Sequence, residues 1–392
     1  MGPRWRRLWV QLEAHNNRKS TLMAALFTGL MAPSHCQALN APQEGLFELR
    51  LMNYQETQDG LERMRVKAQS SRFVLPVSEA VSAELAQVVD AVSGASPLYY
   101  TEPSVFANVR DLRQAKDAKL SLHGERQRLS LGAASSKERD YQSLSHSISY
   151  TWASPDQSLL LDLGFAFTSD LINPVNRVVK DARKTTHDQL IAATVVVTPR
   201  DLLQVQRTFA EGRGYFSDPY KFLDTRPDTR STQAWVIRWH HHMPDWAISS
   251  RLSMRRLQDS FGIRSDTLQW ELSKSLSERY IFTPGIRLYS QSMASFFSAP
   301  DPSQAELPRI PSDYVFGQSL LSFDQRLSQF GALNLSLQLQ RKLGKGSVDL
   351  RIDHYKQKNS WSWHGKGSPG LADFSAITWQ IGWKRPFSLG AH

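Results

Sequence analysis

Residues 189–254 show the unit from which the chain is built. They read as two pairs of alternating segments, QLIAATVVVT with LLQVQRTFAEG across PRD, and STQAWVIRWHHHM with WAISSRLSM across PD, separated by the polar stretch RGYFSDPYKFLDTRPDTR. In the third segment Trp235, Ile237, Trp239, His241 and Met243 fall on one face of a strand. Val236, Arg238, His240 and His242 fall on the other, because side chains of an extended chain alternate with period two. One face is apolar and aromatic, the other charged. The connections alternate as well, short with Pro199 or Pro244 and then long, which is the rule of a transmembrane β-barrel.

The same unit recurs along the chain. Alternating segments occupy residues 46–55, 62–73, 81–92, 128–136, 141–152, 158–168, 266–275, 279–292, 327–341, 347–356 and 374–387. In one of them Leu333, Leu335, Leu337 and Leu339 alternate with Asn334, Ser336, Gln338 and Gln340. Residues 119–123 are a weak segment, included because the parity of the chain needs it, and Pro76 reads as a turn. Long polar stretches cover residues 93–114 and 298–312. The total predicts an all-β fold, an antiparallel transmembrane barrel of about sixteen strands within a range of roughly 14–18. A soluble sandwich alternates too, but the second face here is Ser, Gln, Arg, Asp and Glu, too polar to form a sandwich core. Trp152, Trp235, Trp246, Trp270, Trp379 and Trp383 are the candidates for the interfacial girdles.

Composition narrows the picture. Charged residues make up 21% and aromatics 10%, and the mean hydropathy is −0.42, so no helical span is expected. The longest apolar run, residues 21–33, follows Arg18 and Lys19 and ends near Cys36-Gln37-Ala38, the layout of a secretory leader cleaved after Ala38. Residues 1–38 are then the leader, 39–387 the barrel and 388–392 a tail. Pro33, Ser34 and His35 before Cys36 do not suit lipidation, and cleavage removes the one cysteine, so thiolate metal sites and thiol nucleophiles are excluded. The formal charge of +10 is spread over alternating segments rather than gathered in one patch, which argues against nucleic acid as a partner. The expected surroundings are outer-membrane lipid, reached through the barrel-assembly machinery.

Several stretches carry a resemblance. VSGASP (92–97), KERDYQS (137–143), GYFSDPYKFLDTRPDTR (214–230), LQDSFGIRSDT (257–267), PGIRLYSQSMASFF (284–297) and FDQRLSQFGA (323–332) are similar, in order, to segments of an uncharacterised bacterial outer-membrane family, the domain-of-unknown-function family 3570. The resemblance implies a barrel and an outer-membrane location. It implies no activity, and only a loose association with flavin-transferase and thioredoxin-like proteins of the envelope.

Candidate chemistry is sparse. His240, His241 and His242 suggest a metal, yet only His240 and His242 share a strand face and no further ligands are legible. Serines are frequent, but no nucleophile elbow appears, so neither an enzyme nor a cofactor is expected. Arg251, Glu271 and Arg287 on three successive strands, with Asp349, Arg351 and Asp353 on the next-to-last, read as lumen charges that pair across strands. The loop 214–230 brings together Asp218, Tyr220, Lys221, Arg226, Asp228 and Arg230, a candidate constriction or docking surface. A constriction there is expected to carry net positive charge from Arg226 and Arg230 and to favour anions. The reading is therefore a passive, porin-like channel, with a binding or scaffold protein for an envelope partner, redox-linked or not, as the competing role.

Overall fold

The computed structural model describes residues 39–58, 60–94, 109–299 and 309–388. The expected leader, its cleavage point, Cys36 and most of the tail lie outside the described residues. Sixteen strands run in order: β1 (Gly45–Gln58), β2 (Leu61–Ser78), β3 (Val81–Gly94), β4 (Val109–His123), β5 (Gln127–Lys137), β6 (Tyr141–Ala153), β7 (Leu159–Ile172), β8 (Ala182–Thr198), β9 (Asp201–Gly214), β10 (Thr229–Met243), β11 (Ile248–Asp259), β12 (Arg264–Ser275), β13 (Tyr280–Gln291), β14 (Phe330–Leu343), β15 (Gly346–Lys358) and β16 (Phe374–Phe387). Each pairs antiparallel with its neighbours in sequence, and β1 pairs with β16 from Gly45↔Phe387 to Gln58↔Phe374, so the sheet closes and has no edge.

Exposure follows the alternation. On β14 Leu335, Leu337 and Leu339 are 50, 55 and 44% exposed, whereas Asn334, Ser336 and Gln338 between them are 2, 4 and 5% exposed. The inversion holds around the barrel, with Ile377, Trp379, Ile381, Phe165, Ile191 and Trp235 outside and Thr378, Gln380, Asp162, Thr194 and Gln206 inside. In water an exposed leucine forfeits of order 1 kcal/mol of the transfer energy it gains in an apolar medium. The surface is matched to hydrocarbon and the interior to water.

Three strands differ from the sequence expectation. β4 begins at Val109, not at residue 119, because its inward charges find partners on β3: Arg113 binds Asp90 at 2.5 Å and Lys119 binds Glu84 at 2.9 Å. With Lys116 facing out, the segment lacks contrast between faces, and the neighbouring strand supplies what local pattern does not. Pro76 lies within β2, beside a register shift at its end where the missing N–H is tolerated, and the turn falls at residues 79–80. β14 starts at Phe330, and the residues before it are a different element.

Short connections at residues 79–80, 124–126, 154–158, 199–200, 244–247, 276–279 and 344–345 share one end of the barrel with the start of β1 and the end of β16. The opposite end carries the longer connections, including residues 173–181, 215–228, 292–329 and 359–373.

Candidate functional site in the barrel lumen

The wall of the lumen is a set of matched charges. Arg251 Nη1 lies 3.2 Å from Glu271 Oε2, the other carboxylate oxygen lies 3.3 Å from Arg351 Nη1, and Arg351 also holds Asp353 at 2.8–3.0 Å. Arg50 on β1 meets Asp349 on β15 at 3.4 Å across Gly382, where a Cβ would sit 2.5 Å from the carboxylate. Elsewhere on the wall Arg72 and Lys119 share Glu84, and Arg238 donates to Gln204 and Gln206. Of the six lumen charges read from sequence, Arg251, Glu271, Arg351 and Asp353 form one chain and Asp349 joins Arg50. Arg287 is buried on the same face, opposite Asn334.

At the long-loop end two connections fold together. Residues 215–228 and 292–329 exchange backbone hydrogen bonds at Thr225 and Leu321, of 2.8 and 3.0 Å. Asp324, 0% exposed, accepts from Arg226 at 2.8 Å and from Arg326 at 2.6 Å. Arg226 also grips Asp224 through two 2.6 Å bonds, Ser322 donates to Asp224, and Arg326 reaches Asp218. Asp324 additionally caps a 3-10 turn over Gln325–Leu327 by accepting from the Arg326 N–H. Beneath this cluster Phe261, Ile263, Ala294, Phe296, Phe297, Leu327 and Leu371 form an apolar core against which Phe216 packs. This core is built from loops.

The pair of loops reaches the wall on several sides. Tyr220 donates to Asp140 at 2.7 Å and accepts from the Val175 N–H at 3.0 Å. Arg230 pairs with Asp259 at 2.5 Å and lies 4.7 Å over the ring of Phe261. With its amide oxygen turned toward β2, Gln325 accepts from Arg63 at 3.0 and 3.2 Å, and Arg63 is itself held by Glu56 at 2.6 Å and Gln58 at 2.8 Å. β2 stands diametrically opposite β10 in the ring, so the two loops together span the lumen from wall to wall.

Charge in this plug is balanced, which corrects the positive field expected from Arg226 and Arg230. Asp218, Asp224 and Asp324 stand against Arg226, Arg326 and Lys221, and Arg230 is neutralised by Asp259. Burial lifts the Asp224 carboxyl above its ordinary range against the pull of Arg226, and burial lowers the Lys221 ammonium. Burial alone would raise Asp324 too, but Arg326 and Arg226 outweigh it and hold the carboxyl well below the usual range. Of the candidate loop residues, Asp228 stands apart: its side chain is exposed, and its carbonyl accepts from the Gly214 N–H at 2.7 Å. The reading by sequence passed over Asp224, Asp324, Gln325 and Arg326. The signal is present in FDQRLSQFGA, where Asp324, Gln325 and Arg326 stand just before the strand that alternation predicts from residue 327.

The short-turn end is entered by the chain itself. Leu39, 3% exposed, packs on Ala153 and Leu160, both inward-facing, and its carbonyl oxygen lies 2.6 Å from His123 Nδ1. His123 Nε2 in turn lies 2.7 Å from Ser82 Oγ, and Glu44 pairs with Lys345 at 2.7 Å. Residues 39–44 thus run from β1 across the mouth to β3, β4, β6 and β7. The histidines on β10 serve locally: His241 and Trp239 both bind Asp201, at 2.7 and 2.8 Å, and His242 meets Ser249 at 3.0 Å. Among the described residues no group of three His, Cys, Asp or Glu is placed to hold a metal ion.

A family model described as "Protein of unknown function (DUF3570)" matches residues 99–183 and 175–378. No curated protein sequence matches the chain. Among solved structures the fold is similar to a bacterial polysaccharide outer membrane secretin, with a TM-score of 0.51 at 8% identity, covering 87% of this chain and 98% of that one. It is also similar to CdiB from Acinetobacter baumannii, with a TM-score of 0.50 at 8% identity over 88% of this chain and 60% of that one. The siderophore receptor PirA from Pseudomonas aeruginosa matches at a TM-score of 0.45 and 11% identity over 87% and 61%. At these identities the likeness is one of fold: a closed barrel of the outer-membrane kind.

Proposed function

Because the chain belongs to the DUF3570 family and has the fold of outer-membrane barrels, we propose that it is an outer-membrane conduit for polar solutes, closed at rest by its own loops. The long-loop end faces the exterior and the short-turn end the periplasm, the arrangement usual for bacterial barrels. Outer-membrane lipid is its solvent and the barrel-assembly machinery its route of insertion. No reaction and no cofactor is assigned to it. A ring of sixteen strands encloses an aqueous channel unless loops fold inward, and here they do.

One observation carries the reading: Asp324, fully buried and clamped between Arg226 and Arg326, joins two loops that bridge a charged lumen. The joint is ionic and hydrogen-bonded, with Phe216 packed on the apolar loop core beside it, and it lies among loops, hence it is separable without breaking the barrel. A competing role, a closed barrel that serves as a docking scaffold, is favoured by the second closure at Leu39. Planar-bilayer recordings separate the two. The conduit reading expects small or intermittent currents from the native protein and a large sustained conductance from an Arg226→Ala, Arg326→Ala double variant. Silence from both, with the variant shown to be folded and inserted, would leave the scaffold role.

A further inference from the structure

On β8, β10 and β11 the outward residues change from apolar to polar at a single row, while on β9 the outward Phe209 stands one step above it. On β8 Val197, Val195 and Ile191 give way to Gln189 and His187; on β10 Trp239, Ile237 and Trp235 give way to Gln233; on β11 Leu252 and Met254 give way to Arg256 and Gln258. The register sets Ile191, Arg207, Trp235 and Arg256 side by side on that row. On β8, β10 and β11 it marks the upper edge of the lipid-facing band, on the side of the long loops.

Two arginines flank an indole there. The Arg207 guanidinium carbon lies 5.5 Å from the centre of the Trp235 ring, and Arg207 makes no ion pair among the described residues. Arg256 has a side chain 63% exposed, with Asp266 Oδ1 3.6 Å away, too long for a hydrogen bond; the other Asp266 oxygen faces His364 at 3.2 Å. Glu211, the next outward carboxylate on β9 above this row, is taken by Arg213 at 2.9 Å. An arginine facing lipid is costly at the midplane and nearly free of cost near the interface, so these two are tolerable only at headgroup level. At that level a guanidinium finds phosphate oxygens, which its fork binds in pairs. An indole beside it has its natural place at the boundary of headgroup and hydrocarbon.

We infer that Arg207, Trp235 and Arg256 form a binding site on the outer wall for the phosphate of an outer-leaflet acylated glycolipid. The arginines on β9 and β11 take the phosphate between them. Trp235 on β10 lies under it, against the junction of sugar and acyl chains. The site rests on the outer-membrane reading above but not on the conduit.

The test uses the folded, detergent-purified full chain and its Arg207→Ala, Arg256→Ala variant, with the barrel state of each checked by heat-modifiable mobility. Native mass spectrometry counts retained molecules of a phosphorylated glucosamine-disaccharide lipid, the same lipid without phosphate, and inorganic phosphate. The native chain is expected to retain the phosphorylated lipid in preference to the other two, and the variant to bind it about tenfold or more weakly. Equal retention of the dephosphorylated lipid, unchanged binding by the variant, or inorganic phosphate bound as well as the lipid would each overturn the site. Failure of the native chain to insert into vesicles would sink the outer-membrane reading itself. Insertion without phosphate preference would sink only the site.

Discussion

Glu271 on β12 and Arg351 on β15 meet at 3.3 Å although two strands lie between them. The contact is possible because those strands present Gly285 and Ser336 at the crossing, where a Cβ on Gly285 would stand 2.6 Å from Ser336 Oγ and 3.1 Å from Glu271 Cγ. The long side chains pass over short ones. The wall is thereby braced along a chord rather than from neighbour to neighbour.

Breaking this brace has a defined cost. Glu271→Ala leaves Arg351, 1% exposed, with one of its two carboxylates, and removing a partner from a buried pair typically costs about 3–5 kcal/mol. The expected outcome is a clear drop in the temperature at which the barrel loses its heat-modifiable mobility. Gly285→Val should produce a similar drop through steric collision alone. An unaltered transition in both variants would mean that the crossing contributes nothing.

The two faces of the wall should respond oppositely to charge. Leu337→Arg or Ile381→Arg places a cation on the lipid side and should cost about 2–4 kcal/mol near the midplane, read as reduced insertion into vesicles. Ala115→Arg, on the half-buried inner face of β4 beside Asp117, should insert normally. Equal tolerance at both kinds of site would refute the assigned register.

The plug should hold over mildly acidic and neutral pH. Asp324 titrates below the ordinary carboxylate range, so the stability it lends is present above about pH 4 and is lost only as pH falls through its own lower value. Asp224 is raised and Lys221 lowered, each chiefly by burial. Protonating the first at falling pH, or deprotonating the second at rising pH, relieves a penalty rather than a support. Currents recorded at about pH 5 and about pH 8 should therefore agree, while Asp324→Asn should open the channel at neutral pH. A native channel that opens between those two pH values would contradict this account.

The segment at the short-turn mouth makes a separate prediction. Leu39→Asp puts a carboxylate against Ala153 and Leu160 and should unseat residues 39–44 while leaving the strands intact. In an Arg226→Ala, Arg326→Ala background the added change should raise conductance further. No change would show that this segment does not limit flow.

The sequence by itself determined the faces of the strands and, apart from β4, the end of β2 and the start of β14, most of their extent. Period two, water inside and hydrocarbon outside leave Leu335 and Ser336 no choice of side, and the alternation of short and long connections settles which ends meet. It did not determine which inward residues can change: by pattern Ser336 is an interchangeable lumen position, whereas in the structure it is the low point under which a cross-barrel ion pair would fail if filled. Nor did it show what fills the lumen. Arg226 and Asp324 are 98 residues apart, and Gln325 finds Arg63 on the far wall. No periodicity links such positions, because loop residues are placed by the partners they meet after closure and not by the repeat of the strand. The loop's arginines therefore promised a positive constriction, and only the tertiary structure, by bringing a second loop's Asp324 between Arg226 and Arg326 and Asp259 against Arg230, decided that the charge there is spent on tying the two loops to each other and to the wall.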